Sequence, residues 1–392
     1  MASFFIFVRC LTGGVTSLGE APDWSKLDKF QGKWTESLFR ADLENIYCPR
    51  KSWWEPWIKF EKEHVSFRKR VGVDDWYRLR LIKGDTSSSP VEPRNNRGEI
   101  LKVALDPGHI GGKYSAMEGR HFQLGNDSVI KEGDISLQVA KRLKVLLDEE
   151  GFQTFLIREK SEPVTVQRPE DFEEMAEGWL QEMDRSTLSQ KEQEELRIKR
   201  REVLFYRVSE IRARARKINR QIKPDLVVCL HLNAAPWGDP DEKELVERND
   251  YHVLVNGCYM GGELAYDDQR FEMLYRLLSA WSKTEKDVAE EVGKVFHQKT
   301  GLPAFRYRGP NAIKVGAVPG VWGRNLLANR IYLSPVVFLE PYIANSKTEY
   351  ARLQIGHYEG LKQFLGHERL PLIEEYAQTV CKALVEVREK LK

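Results

Sequence analysis

Residues 100–109 read ILKVALDPGH: a short apolar run, then Asp-Pro-Gly, then a histidine. A short apolar run bounded by turn signals fits a strand buried on both faces, and Asp-Pro-Gly supplies the turn that ends it. The pattern recurs. DISLQVAKRLKVLLDEEG (residues 134–151) has helical spacing, FQTFLIR (152–158) follows it, and DLVVCLH (225–231) and PVVFLE (335–340) come much later. Apolar runs alternating with helical patterns indicate an α/β domain with a single mostly parallel central sheet flanked by helices. In the first helix Ile135, Val139, Leu143 and Leu146 keep one face apolar, Asp134 is placed to cap the N-terminus, and Gly151 stands where the C-cap belongs.

Three of these runs end in a side chain that binds metals or moves protons: His109, His231 and Glu340. In open parallel sheets ligand sites form at the carboxyl ends of the strands, so residues remote in sequence can converge there. Taken singly, each is more often a hydrogen-bonded core histidine or a salt-bridge partner. Together they point to a site, because burying such groups without compensation costs free energy. A third metal ligand is needed. Glu132, just ahead of the helix, is well placed, and Glu118, Asp127 and Asp134 compete with it on composition.

At 392 residues the chain has room for two or three domains, and its 41% hydrophobic and 31% charged content excludes wholesale disorder. The net charge of +2 leaves no field to attract a nucleic acid. The longest apolar stretches, residues 4–8 and 335–339, are strand-length, so no transmembrane segment is expected. The opening MASFFIFVRCLTGG resembles a clipped secretory signal, with a buried first strand as the alternative. Five scattered cysteines without a C-x-x-C spacing indicate neither a disulfide framework nor a thiolate zinc cluster.

Six of the ten tryptophans fall within the first 76 residues, and a Ser/Pro/Asn/Gly-rich stretch of linker composition (84–99) follows. We therefore divide the chain into an aromatic-rich α+β module (1–98) and a second domain (99–392). The module should hold one helix over 24–45 and short strands at HVSFRKRV and WYRLRLI, with KSWWEPWIKF packing in its core rather than forming a carbohydrate platform. Residues 168–223 read as a charged helical hairpin, a solvated excursion whose second helix docks on the sheet through Leu204, Val208, Ile211 and Ala215. The C-terminal IEEYAQTVCKALVEVREKLK is a further amphipathic packing helix.

Four blocks in order, VALDPGHIGG, KEGDISLQVAKRL, PDLVVCLHLNAAP and PVVFLEPYIANSKTE, resemble the motifs of the zinc-dependent N-acetylmuramoyl-L-alanine amidases of the amidase-3 type, which are cell-wall hydrolases. The resemblance spans about residues 100–365. It implies that His109, Glu132 and His231 bind Zn²⁺ and that Glu340 is the catalytic glutamate. The sequence departs from the family pattern at Ile110 and across Cys229, Leu230 and Leu232, and the link before His231 is longer than usual.

Two imidazoles and one carboxylate leave a zinc site with an open position, as catalytic sites require. The leading expectation is hydrolysis of the amide between the lactyl group of N-acetylmuramic acid and L-alanine, in peptidoglycan or muropeptides. A zinc peptidase or deacetylase with the same constellation, and a non-catalytic wall-binding protein, are the alternatives. His121, Asn233 and Arg324 are candidate substrate contacts, with Asn126 in the same loop as His121. The expected location is the bacterial cell envelope, periplasmic or secreted, with cytoplasmic recycling of wall fragments as the alternative. Oligomeric state is not set by the sequence.

Overall fold

The computed structural model describes residues 14–84, 100–239 and 242–391. The apolar stretch at 4–8 and nearly all of the linker lie outside the described residues. The single helix expected over 24–45 is broken. Trp24–Phe30 forms a 3-10 helix, Gly32 turns with φ +67°, and the chain restarts at Thr35, whose side chain caps α1 (Glu36–Asp42). The apolar spacing survives that turn because Leu27, Phe30 and Trp34 enter one core.

After α2 (Lys51–Trp54), strands β1 (Ile58–Phe60), β2 (His64–Arg68) and β3 (Trp76–Arg80) pair antiparallel. Trp54 is buried, and Trp53 and Trp57 pack against the same aromatic cluster.

The second region opens with β4 (Lys102–Pro107); a ribbon of β5 (His121–Phe122) and β6 (Ile130–Lys131) then leads into α3 (Glu132–Glu149) and β7 (Gln153–Leu156). The charged hairpin consists of α4 (Glu173–Gln181), α5 (Gln190–Val203) and α6 (Glu210–Arg216), the last two joined through a π-helical turn. β8 (Leu226–Leu230) and β9 (Tyr251–Val255) precede α7 (Gly261–Leu264), α8 (Asp267–Leu278) and α9 (Trp281–Thr300). β10 (Ile313–Lys314), β11 (Val321–Gly323), α10 (Leu327–Ile331), β12 (Val336–Pro341), α11 (Lys347–Ile355) and α12 (Leu372–Leu391) complete the order.

The seven-stranded sheet runs β10-β11-β9-β12-β8-β4-β7. β12, β8, β4 and β7 are mutually parallel, while β9 lies antiparallel to β12. This is the mostly parallel sheet that the buried apolar runs require. On one face α3, α9 and α12 supply Val139, Leu143, Val292, Phe296, Val380 and Leu384 to a core shared with alternate residues of β4, β8 and β9. On the other, Ala215 and Ile218 from the hairpin and Ala328 and Ile331 from α10 cover Val227, Cys229, Val336 and Phe338.

The hairpin is therefore less of an excursion than its charge suggests. Its second arm is a structural layer, and Leu204 and Phe205 are buried against Ile110 and Tyr114 beside the end of β4. The N-terminal core also reaches across, taking in Leu264, Met273, Leu274, Leu277 and Leu278 of α7 and α8.

Asp134 does not cap α3. The helix begins two residues earlier, and the Asp134 carboxylate accepts hydrogen bonds from the Gly112 N–H at 2.8 Å and the Ser161 hydroxyl at 2.5 Å. Gly151 terminates the helix as expected, with φ +80°. On its buried face Leu147 takes the place anticipated for Leu146.

Candidate metal centre

Because β4, β8 and β12 are parallel neighbours, their carboxyl ends share one rim of the sheet. His109 lies two residues past β4, His231 follows β8 directly, and Glu340 is the next-to-last residue of β12. Close backbone approaches compress this rim. A Cβ at Gly108 would fall 2.3–2.5 Å from ring atoms of His231, and one at Gly133 would fall 2.4 Å from the Gly111 amide. Only glycine lets the turn after β4 lie against both the His231 ring and the start of α3. His109 itself is left-handed, φ +56°, a conformation costing a non-glycine residue about 1–2 kcal/mol.

The result is convergence. His109 Nε2 lies 3.3 Å from one Glu132 carboxylate oxygen and His231 Nδ1 lies 3.1 Å from the other. One ligand atom from each of the three residues falls within 4.8 Å of the others, so the group is able to hold a metal ion. The two rings meet edge to face at 5.0 Å, and His231 stacks on Phe338 at 4.2 Å. The Tyr376 hydroxyl of α12 donates to the His231 carbonyl at 3.1 Å.

Charges at this rim are strongly interdependent. Burial works against a charged His109, but Glu132 and Glu118 outweigh it and raise the imidazole to about 9. Burial likewise opposes a charged Glu132, yet the two imidazoles hold its carboxyl well below the usual range. Burial, aided by the charge on His109, lowers His231. Glu340 is pushed up to about 8 by burial and by the neighbouring Glu132, against the pull of His109, Arg120 and Arg324. It is a carboxyl poised to hold a proton near neutrality.

The three competitors for the third ligand position have other partners. Glu118 accepts the Ile110 and Gly111 amides at 2.9–3.1 Å and faces His109 Nδ1 at 3.5 Å, which leaves Nε2 free on the Glu132 side. Asp127 accepts from the Tyr350 hydroxyl, and Asp134 is engaged with Gly112 and Ser161.

Among the candidate substrate contacts, His121 is exposed on β5 and lines a cavity of about 430 Å³ with Gly112, Lys113, Phe122 and Lys131. Asn233 is half-buried beside His231, and its side chain accepts from the Ala234 amide. Arg324 bonds the Tyr307 hydroxyl at 3.3 Å and acts electrostatically on Glu340. Asn126 is exposed.

Two further residues were not singled out from the sequence. Arg120 reaches within 3.9 Å of Glu132, and its carbonyl accepts the Glu132 amide. His252, given no role on sequence grounds, is buried on β9 directly across from Glu340 and meets the Tyr307 hydroxyl at 3.2 Å. A histidine inside the apolar run YHVLV (251–255) would have been the only sequence signal for it.

Fold and cluster together define an α/β protein with a candidate divalent-metal centre on the carboxyl rim of its sheet. The family follows from comparison. The sequence model of the amidase-3 family, N-acetylmuramoyl-L-alanine amidase, matches residues 103–359, well over half of the chain, and the chain belongs to that family. Similar solved structures include the amidase Ami1 from Mycobacterium smegmatis, at 14% identity over 74% of this chain and 97% of that one, TM-score 0.40. Another is the N-acetylmuramoyl-L-alanine amidase from Clostridium difficile 630, at 13% identity over 74% and 97%, TM-score 0.38. A third is AmiC2 of Nostoc punctiforme, at 15% identity over 74% and 97%, TM-score 0.37. No curated protein sequence matches the chain. The chain is thus a hydrolase of the N-acetylmuramoyl-L-alanine amidase class, whose substrate is peptidoglycan.

Proposed function

We propose that this chain cleaves the lactyl-L-alanine amide with the help of Zn²⁺ bound by His109, Glu132 and His231, and that Glu340 is its general base and acid. The convergence of those three ligand atoms within 4.8 Å carries the reading. His109 Nε2 and His231 Nδ1 each face a different oxygen of Glu132, at 3.3 and 3.1 Å, so the three side chains that would hold the ion meet at one carboxylate. Two imidazoles and a single carboxylate also match a catalytic rather than a structural donor set.

A divalent cation there supplies Lewis-acid chemistry, acidifying water and polarising the scissile carbonyl. Glu340, recessed beside the cluster, takes the proton of the attacking water on its carboxylate and returns it to the departing L-alanine nitrogen. Its raised proton affinity suits both transfers near neutral pH. Arg120 and Arg324 both act on it as positive charges. Phe338 keeps the His231 ring in place by stacking. Membership of a cell-wall amidase family supports action outside the cytoplasm, and we propose a periplasmic or secreted location in the bacterial envelope. No described helix is long and apolar enough to cross a membrane. We also assign residues 1–98 and 99–392 to an N-terminal module and a catalytic domain.

Digestion of purified peptidoglycan is the test. The products should carry new L-alanine amino termini and intact N-acetylmuramic acid, and the activity should vanish with a chelator and return with zinc. Free acetate, or cleavage deeper in the stem peptide, would assign the site to the deacetylase or peptidase alternative.

A second expectation concerns protons. Bound as a ligand, His109 must be neutral, yet without metal it stays protonated up to about 9. Metal uptake at pH 7 should therefore release at least one proton, with a second from Glu340 where the bound cation lowers its proton affinity, and metal affinity should rise with pH until it flattens above about 9. The raised His109 stabilises the metal-free fold fully below the ordinary imidazole value of 6.5, and this contribution is lost as pH rises through about 9. Calorimetric metal titrations in buffers of different ionisation enthalpy read the proton count directly, and uptake with none released would refute the linkage.

A further inference from the structure

Arg214 comes from the charged hairpin, on α6, yet its guanidinium is buried at the end of β4, 4% exposed. Every direction it points carries a partner. Nε donates to Glu210 on its own helix at 2.7 Å, and one terminal nitrogen donates to Asp106 at 2.8 Å and the Pro107 carbonyl at 2.7 Å. The other terminal nitrogen donates to the His109 carbonyl at 2.8 Å. Arg158 holds the adjoining carbonyls, Pro107 at 3.2 Å and Gly108 at 3.0 Å. The hydroxyl of Ser136 on α3 adds a second donor to Gly108 at 2.7 Å. Glu118 takes the amides of Ile110 and Gly111.

This accounting explains how a left-handed histidine persists. A non-glycine residue at φ +56° holds that shape only where its surroundings over-determine it. Here the carbonyls of three successive residues are held by buried donors, and the following amides by one carboxylate. A planar guanidinium has the span to bridge Asp106 and the His109 carbonyl simultaneously, whereas an ammonium is a single point of charge.

We infer that Arg214 is a positioning residue for His109: from the inserted hairpin it fixes the backbone of the ligand turn and so presets the imidazole for the metal. The inference rests on the reading of His109 as a metal ligand. It gives the hairpin a task at the site beyond covering the sheet.

The test compares two buried arginines in the full-length protein. Arg214→Lys keeps the charge beside Asp106 and Glu210 but cannot reach all four partners. Arg270→Lys makes the same change on α8, where Arg270 is equally buried and bonded to Asp267 and the carbonyls of Arg68, Lys69 and Leu264. Zn²⁺ affinity is measured by chelator competition and the ligand geometry by the visible spectrum of the Co²⁺-loaded protein, alongside the thermal stability of the metal-free form.

Both variants should lose stability, but only Arg214→Lys should bind metal about 10- to 100-fold more weakly and shift the Co²⁺ spectrum. Wild-type affinity and spectrum in Arg214→Lys, or an equal loss in Arg270→Lys, would overturn the inference while leaving the ligand assignment standing. Failure of the wild type to take up either ion would instead overturn the ligand assignment, and the inference with it. Should Arg214→Lys not fold, Glu210→Gln decides the matter by loosening Arg214 from the helix side. It should weaken metal binding in the same direction, and unchanged binding there would refute the role.

Discussion

Replacing Glu132 with alanine is expected to abolish metal binding and turnover together. Glu132 is the carboxylate between the two imidazoles, 3.3 Å from one and 3.1 Å from the other. Without it a divalent cation would meet two neutral nitrogens and no anionic donor. The metal-free site changes as well, since Glu132 is the strongest of the influences that raise His109. The variant should purify without stoichiometric zinc, show background activity, and unfold at one temperature whether or not zinc is added.

The wild type should gain about 2.7 kcal/mol at a free zinc concentration one hundred times its dissociation constant. His109→Ala and His231→Ala should lose the same zinc-dependent stabilisation. A Glu132→Ala protein that retained one tightly held zinc would remove Glu132 from the ligand set.

These positions differ in how far the sequence alone could reveal them. His109, His231 and Glu340 were legible because each ends a buried apolar run, and the parallel order of β4, β8 and β12 makes three strand ends into one place. Glu132 was not separable from Glu118, Asp127 and Asp134 by composition. Its distinction comes from the contact of Gly133 with Gly111, which seats the first turn of α3 against the turn after β4. The motif resemblance chose Glu132, and the structure groups Glu132, rather than any of its competitors, with His109 and His231.

Helical periodicity over 24–45 reported the buried face but not the break, because a left-handed Gly32 leaves the apolar spacing intact. Arg214 was hidden for a further reason. Within a run of Arg and Lys, nothing local separates the one guanidinium folded against β4 from those facing water. His252 also depends on a pairing invisible in its own segment, the antiparallel register that sets it opposite Glu340.

Glu340→Gln should act differently from loss of a ligand. The amide is nearly isosteric with the carboxyl, and the three proposed metal ligands are untouched, so zinc content and KM should stay close to those of the wild type. What disappears is the group proposed to accept and return a proton, and kcat should fall by about 10²- to 10⁴-fold, equivalent to about 3–5 kcal/mol of barrier. The environment of Glu340 explains the size of the effect: burial and the charge of Glu132 raise its proton affinity to about 8, while Arg120 and Arg324 pull the other way.

A bound cation adds positive charge at the same rim, so the acidic limb of the wild-type pH profile should lie below that value. In Glu340→Gln the residual activity should lose this limb altogether. Steady-state kinetics on a defined muropeptide, with zinc content measured on the same samples, separates the two classes of variant. Wild-type kcat in zinc-loaded Glu340→Gln would assign the proton transfer to another group, and His252, directly across the strand, would be the first to examine.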